Sequence, residues 1–350
     1  MPQNVRVRFA PSPTGPLHIG GVRTAFYNYL FAKKHQGQFI LRIEDTDQNR
    51  LVPQSESYIQ EALTWLGITP DESPQKGGEM GPYRQSERKS LYEKYALALV
   101  KAGKAYYAFD TPEELEAMRA KFKAIGQAAP QYNAISRMQM KNSLTLSQEE
   151  VSQRLKQGQP YVIRMLIDPQ ITIKAKDTIR GWVQVKGVNL DDKVLLKADG
   201  MATYHLANVV DDHFMQITHV IRGEEWLPSL AYHILLYEYF QWEKPEFVHL
   251  PLLLNANGKG KLSKRNTQQH DFPILPLDWQ DAHTQQTLPG FKQAGYLKEA
   301  LLNFIALLGW HPSHNQELFT CDELIANFSL SRISKSGACF DIDKAKWFNQ

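Results

Sequence analysis

Within its first 45 residues the chain changes hydrophobic period twice, and that change limits the folds open to it. Val5, Val7 and Phe9 alternate with Arg6 and Arg8, the two-residue repeat of a strand over 5–10. Val22, Ala25, Phe26, Tyr29 and Leu30 recur at helical spacing within a segment over 21–35, and 38–44 reads as a second strand. Strand, helix and strand in that order build a parallel, doubly wound sheet. Between the first two lies "PSPTGPLHIGG", residues 11–21, a loop of turn formers that feeds the helix. A helix N-terminus presents unpaired N–H groups and the positive end of the dipole, a natural seat for phosphate. Gly20 and Gly21 would let a ligand approach the backbone closely. A rigid surface turn is the competing account of the same residues.

At 350 residues the chain is long enough for two or three cores. A helix near 54–66 continues the α/β pattern, and a charged amphipathic helix over 85–105 leads out of it. From there to about 200 the grammar changes. "TPEE" at 111–114 and "SQEE" at 147–150 are capping-box starts of separate helices. Short strands at Tyr161–Ile167 and Ile171–Lys174 then alternate with turns. The α/β style returns with "MATYHLANVVDDH", "ITHVIRGEEW", the helix "LPSLAYHILLYEYF" and the strand "FVHLPLLL". The expected fold class is α/β, a split doubly wound (Rossmann-type) parallel sheet with an inserted α+β domain. Its divisions are 1–90 and 201–265 for the two halves of the sheet, 91–200 for the insertion, and 266–350 for a helical region. The closing "DIDKAKWFNQ" starts a helix capped by Asp341 or Asp343. Its Ile342, Ala345, Trp347 and Phe348 have no later segment to pack against, so an end that looks cut, with its last turn frayed or resting on a neighbour, is expected.

A formal charge of +3 is too small to mark a nucleic-acid binder, so any basic surface must be local. Two cysteines, Cys321 and Cys339, argue against a disulfide framework and fit a reducing compartment. No run of apolar residues reaches membrane-spanning length, and the N-terminus lacks a charged-then-apolar leader. A cytoplasmic protein with no membrane partner is expected.

Four stretches carry chemistry. His18, with Gly20 and Gly21, could bind a triphosphate by donating to its oxygens as charge develops. "GKGKLSKRN", 258–266, crowds Lys259, Lys261, Lys264 and Arg265 onto a glycine-flanked loop able to close on phosphate. "RIEDTDQNR", 42–50, sets Glu44, Asp45 and Asp47 at a strand end, where an acid can hold an ammonium group; a helix cap or a metal-free acidic turn explains them equally well. "TYHLANVVDDHFMQITHVIRGEEW", 203–226, combines Tyr204, Asn208, Arg222 and Trp226. Arg222 could bind a carboxylate bidentately, or form a structural ion pair with Glu224 or Glu225.

"PLHIGG" and, about 240 residues later, "KLSKR" resemble the two signature motifs of class I aminoacyl-tRNA synthetases, usually written HIGH and KMSKS. "RFAPSPTGPLHIGG", "LRIEDTD", "YHLANVVDDH" and "VIRGEEW" resemble the bacterial glutamyl branch of that family, from residue 5 to the end. The fourth HIGH position is Gly21, as suits that branch. The resemblance implies that glutamate attacks the α-phosphate of ATP, with Mg²⁺ assisting and pyrophosphate leaving. The adenylate is then passed to the 3′-terminal adenosine of tRNA-Glu. It implies His18 and Lys264 as catalytic residues, and His18, Gly20, Gly21, Lys261, Ser263, Lys264 and Glu225 around ATP. L-Glutamate would lie among Arg8, Ala10, Ser12, Glu44, Tyr204, Asn208, Arg222 and Trp226. Glu44 would take its ammonium and Arg222 its side-chain carboxylate, while Asp47 and Arg50 would meet the tRNA 3′ end. The insertion resembles the domain that grips the acceptor end, with Arg84, Arg88, Lys89 and Lys94 on phosphates. The region after 266 resembles the stem-contact region, and a monomer is expected.

Several relatives hold zinc in the insertion, but this chain has no cysteine before residue 321 and reads "AYYAF" there, so no metal site is expected. The family continues into a helical anticodon-binding region, so these 350 residues are expected to act as a catalytic half or a short paralogue that binds tRNA-Glu weakly. The alternatives are a glutamyl-queuosine tRNA-Asp synthetase, a small-molecule adenylyltransferase and a non-catalytic tRNA-binding paralogue.

Overall fold

β1 (Arg6–Phe9) and β2 (Gln38–Leu41) pair in parallel, Arg6 opposite Gln38 and Phe9 opposite Leu41, and α1 (Ile19–Lys34) crosses between them. The computed structural model describes residues 4–255, 257–258, 260–262, 272–281 and 284–350. Next come α2 (Ser55–Leu66) and, after a 3₁₀ turn at Gln85–Arg88, α3 (Lys89–Lys101). The middle of the chain supplies β3 (Ala105–Ala108), α4 (Pro112–Ala124), α5 (Gln148–Lys156) and β4 (Val162–Met165). The ribbon of β5 (Thr172–Asp177) and β6 (Gly181–Lys186) follows, then β7 (Val194–Leu196). Both expected capping boxes form, Thr111 with Glu114 and Ser147 with Glu150. Strands β3, β4 and β7 make a small antiparallel sheet of their own.

The α/β pattern resumes with α6 (Tyr204–Phe214), β8 (His219–Gly223), α7 (Leu230–Phe240) and β9 (Glu246–Leu250). β8 and β9 are parallel. β8 lies beside β1: the Thr218 N–H donates to the Arg6 carbonyl at 2.9 Å, and the Arg6 N–H to the Thr218 hydroxyl at 3.0 Å. The strands therefore run β2, β1, β8, β9 across the molecule. β5 joins β9 through the single pair Asp177–Phe247, and antiparallel β6 lies outside it. From β1 the chain winds one way to β2, and from β8 the other way to β9. The crevice beyond the carboxyl ends of β1 and β8 is thus the switch point where open α/β sheets bind ligands.

The expected strand over 247–254 breaks at Pro251, which has no N–H for the ladder, and resumes as β10 (Leu253–Leu254). Arg23 of α1 donates to the Pro251 carbonyl and, at 3.0 Å, to that of Leu308. Tyr27 donates to the Ala306 and Leu308 carbonyls at 2.9 and 3.0 Å. These bonds satisfy the end of α8 (Lys298–Ala306), the helix that covers α1.

Of the two alternatives for the closing helix the frayed one does not hold, and one sequence expectation is corrected. The apolar residues of the closing helix α10 (Ile342–Phe348), after α9 (Cys321–Asn327), do have a partner, and it lies earlier in the chain rather than later. Ala345 and Phe348 are buried, the Phe348 ring is 6.3 Å from Phe304 of α8, and Trp347 alone stays half exposed. The Asp341 carboxylate caps the helix by accepting the Asp343 and Lys344 N–H groups. Arg88 is likewise no phosphate contact, because it is buried with its Nε 2.7 Å from Asp211. Arg84 pairs with Glu56 and Glu87, leaving Lys89 and Lys94 exposed.

A buried charge network ties the halves of the sheet together. Asp212 of α6 accepts both Nε and an NH2 group of Arg8 (2.9 and 3.1 Å) and an NH group of Arg42 (2.7 Å). Asp211 accepts from Arg88, Gln85 and Tyr92 at 2.7–2.8 Å. Burial alone would push the Asp212 carboxyl up, but Arg8 and Arg42 outweigh it and hold it below the usual carboxylate range. Removing it strands the buried Arg8 guanidinium and leaves Arg42 with Glu44 as its one hydrogen-bonded carboxylate among the described residues, so Asp212→Ala should lower the unfolding free energy by about 3–5 kcal/mol in a urea titration. Because its folded pKa is depressed, the stabilisation from Asp212 is complete above the unfolded value of about 4 and is lost as pH falls further.

Candidate active site

The loop after β1 delivers His18 as the N-cap of α1, with extended backbone and Nδ1 accepting the Gly20 N–H at 3.0 Å. An imidazole whose Nδ1 accepts carries its proton on Nε2, so the ring caps the helix with one nitrogen and is a donor at the other. A Cβ on Gly20 would lie 2.7 Å from the His18 Cε1, so the fold of the ring over the first turn depends on glycine there. No acidic residue sits in that turn to neutralise the helix dipole.

A cavity of about 390 Å³ opens where β1 and β8 end. Arg8, Ala10, Ser12, His18, Gly20, Gly21, Glu44, Arg50, Tyr204, Asn208, Arg222, Glu225, Trp226 and Lys261 all line it, so residues spread over 250 positions meet at one crevice. Asp47 does not line it; it pairs with Arg50 on the surface at 3.0 Å. Ser263 and Lys264, like Lys259 and Arg265, lie outside the described residues.

The "IEDTD" stretch divides its work. Glu44 is buried, its Oε1 accepting from Arg42 at 3.0 Å and Asn208 at 3.1 Å. Burial raises its carboxyl above the usual range, against the pull of Arg42 and Arg8. Asp45 is turned to another segment: its carboxylate accepts the Ser86 N–H (2.8 Å) and hydroxyl (2.6 Å).

Arg222, at the end of β8, is buried, and the ion pair weighed for it with Glu224 or Glu225 does not form. Glu224 pairs with Arg180 and accepts the Leu252 N–H at 2.8 Å, while Glu225 faces Lys261 at 3.5 Å. The Nε of Arg222 instead donates to His249 Nε2 (3.0 Å) and one NH group to the Tyr204 hydroxyl (2.8 Å), with His233 Nδ1 at 3.3 Å. Its other NH group is 3.5 Å from the Trp226 carbonyl. Burial and then the Arg222 charge hold His233 well below its ordinary pKa, and burial lowers His249 against the pull of Asp177, so both rings are neutral. Among the described residues no carboxylate touches this buried cation, a costly arrangement unless an anion is to arrive. Tyr204 and Trp226 wall the same side, ring centroids 4.3 Å apart, and burial pushes the Tyr204 phenol up to about 12.

Sequence reasoning missed Asp212, His233, His249 and Asp177. The signals available were a histidine inside the apolar strand "FVHLP" and a double acid on the buried face of α6.

A family model described as tRNA synthetases class I (E and Q), catalytic domain, matches residues 4–347. The chain belongs to this family. The synthetase is 65% identical to a glutamate–tRNA ligase of Amoebophilus asiaticus, the match covering 100% of this chain and 69% of that protein. It is 62% identical to one from Cytophaga hutchinsonii, over 99% of this chain and 68% of the relative. The crystal structure of a glutamate tRNA ligase from Elizabethkingia meningosepticum in complex with its amino acid shares 55% identity and a TM-score of 0.97, over 99% of this chain and 69% of that one. For this synthetase, Gly20→Ala should displace the His18 ring from its cap. Misplacement on that scale predicts a fall in ATP–pyrophosphate exchange of roughly 10²-fold. A thermal melt should move by only about 2–4 °C, the share of one helix cap.

Proposed function

We infer that the chain is a glutamate–tRNA ligase: it activates L-glutamate on ATP and transfers the glutamyl group to the 3′-terminal adenosine of tRNA-Glu. The observation that carries this reading is Arg222, a buried guanidinium whose protein partners are all neutral and whose open side faces the cavity. Relatives named glutamate–tRNA ligase at 55–65% identity support the same substrate and favour neither a queuosine-modifying nor a non-catalytic paralogue.

In this reading the side-chain carboxylate of glutamate takes the open edge of Arg222 beside Tyr204, and Glu44 with Asn208 receives the α-ammonium group. Arg8, Ala10 and Ser12 line the path between them, and Trp226 covers the aliphatic stem. An α-carboxylate oxygen then attacks the α-phosphorus of ATP, and the bond to pyrophosphate breaks. His18 Nε2 and the Gly21 N–H at the mouth of α1 meet the charge that develops on the phosphates, while Gly20 holds the ring in its cap. Lys261, near Glu225, forms the near side of the lysine loop. Ser263 and Lys264 are proposed to complete it over the phosphates. In the second step a ribose hydroxyl of the tRNA attacks the mixed anhydride and AMP leaves. The Arg50–Asp47 pair at the cavity mouth is the contact proposed for that end.

ATP is the substrate and Mg²⁺ is proposed to come with it. The cavity's two carboxylates are engaged elsewhere, Glu44 by Arg42 and Asn208 and Glu225 by Lys261, so the donor set suits a metal held on phosphate oxygens and water rather than in a protein cage. We assign acceptor-end contact to 91–200 and stem contact to 266–350, in a cytoplasmic monomer. No described helix is long and apolar enough to cross a membrane.

The test is amino-acid-dependent ATP–pyrophosphate exchange, with tRNA-Glu present, for glutamate and glutamine. Arg222→Ala should reduce kcat/KM for glutamate by about 10²- to 10³-fold, the cost of one partner in a buried charge pair, and leave the KM for ATP nearly unchanged. An unaltered preference for glutamate over glutamine in that variant would sink the assignment.

A further inference from the structure

Behind Arg222 runs a second layer of polar groups that never reaches the cavity. His249 on β9 and Asp177 at the end of β5 are fully buried, and neither lines the site. The Asp177 carboxylate is held by four donors. Oδ1 accepts the Ile179 and Arg180 N–H groups at 3.0 and 2.8 Å, and Oδ2 accepts the His249 N–H at 3.1 Å and its Nδ1 at 2.7 Å. A carboxylate fixed this way dictates the histidine tautomer: the proton stays on Nδ1, and Nε2 presents a lone pair to Arg222 Nε at 3.0 Å.

We propose that Asp177 and His249 are positioning residues that set the preference for glutamate, by orienting the Arg222 guanidinium while leaving its charge uncompensated. The proposal rests on the reading of Arg222 as the ligand of the substrate carboxylate. A guanidinium is a rigid plane, so fixing Nε on His249 and one NH group on Tyr204 fixes where the remaining N–H groups point. The interposed imidazole matters for charge as well. A carboxylate in its place would pair with Arg222 directly and weaken its hold on an incoming anion. One ring further back, Asp177 orders the geometry without neutralising the cation. The amide of glutamine can accept one of those N–H groups but brings no charge, so discrimination depends on how squarely the fork meets its partner.

The experiment measures exchange kinetics with tRNA-Glu for His249→Leu, His249→Gln and Asp177→Asn, with melting temperatures alongside. His249→Leu should raise the KM for glutamate and narrow the glutamate-to-glutamine ratio of kcat/KM by about tenfold or more, with the KM for ATP held within about twofold. Asp177→Asn should move the same two quantities in the same direction. His249→Gln, whose Oε1 can still accept from Arg222, should recover most of the loss. The relay is wrong if His249→Leu leaves glutamate KM and the ratio unchanged, or if the KM values for glutamate and ATP rise together. It is equally wrong if the glutamine variant is as impaired as the leucine one. Should Arg222→Ala abolish selectivity while His249→Leu does not, only the relay falls; if Arg222→Ala itself keeps selectivity, the underlying site assignment falls with it.

Discussion

One carboxylate, Asp212, holds the arginine of β1 and the arginine that follows β2 in the same place. Its neighbour Asp211 reaches a different set, Arg88, Gln85 and Tyr92, because successive residues on a helix point about 100° apart. Two adjacent acids on α6 thus clamp the first half of the sheet and the segment that leaves it. Such buried ion clusters add less stability than apolar packing of equal volume, but breaking one is expensive, so they favour one register over its neighbours. The cavity inherits that register: Arg42, steadied by Asp212, in turn holds Glu44 at the cavity wall.

The site works by contrast within this charged interior. Arg8, Arg42 and Arg88 each meet a carboxylate, whereas Arg222 meets a phenol, two neutral imidazoles and a carbonyl. Burial that would be costly for an idle cation becomes selective once an anion can enter, since an uncharged analogue leaves the cost unrelieved. The opposite end of the crevice is built from the mouth of α1 and the His18 ring, which favour negative charge, with Lys261 lining the same cavity.

Local grammar carried much of this into the sequence. The shift from two-residue to helical period marks β1 and α1, the capping boxes mark α4 and α5, and the motif residues that reach the cavity sit next to turn formers and strand ends. What failed to show depended on distant partners. Arg88 looked like a surface cation because nothing nearby says that Asp211, over a hundred residues on, will bury it. The partner of α10 was not named since α8 precedes it and a further helix, α9, lies between them in the chain. His249 and Asp177 come together only because β5 pairs with β9, a contact one residue pair wide that no periodicity encodes.

The neighbour relation of β1 and β8 also has a history in time. Arg6 and Thr218, which join the two strands, lie 212 residues apart. Closing so long a loop costs little more at equilibrium than closing a short one, since the entropy grows only logarithmically. Synthesis is less forgiving: at about 5–20 residues per second, roughly 10–40 s separate the two strands on the ribosome. Through that interval β1 has an unpaired edge and α1, buried in the finished protein by β8 and α8, shows its apolar sides to whatever is near. The residues between them hold a separate cluster around Tyr106, Met118 and Phe122 that can form first. An early strand kept waiting for a late one makes the nascent chain, more than the finished protein, the form exposed to aggregation.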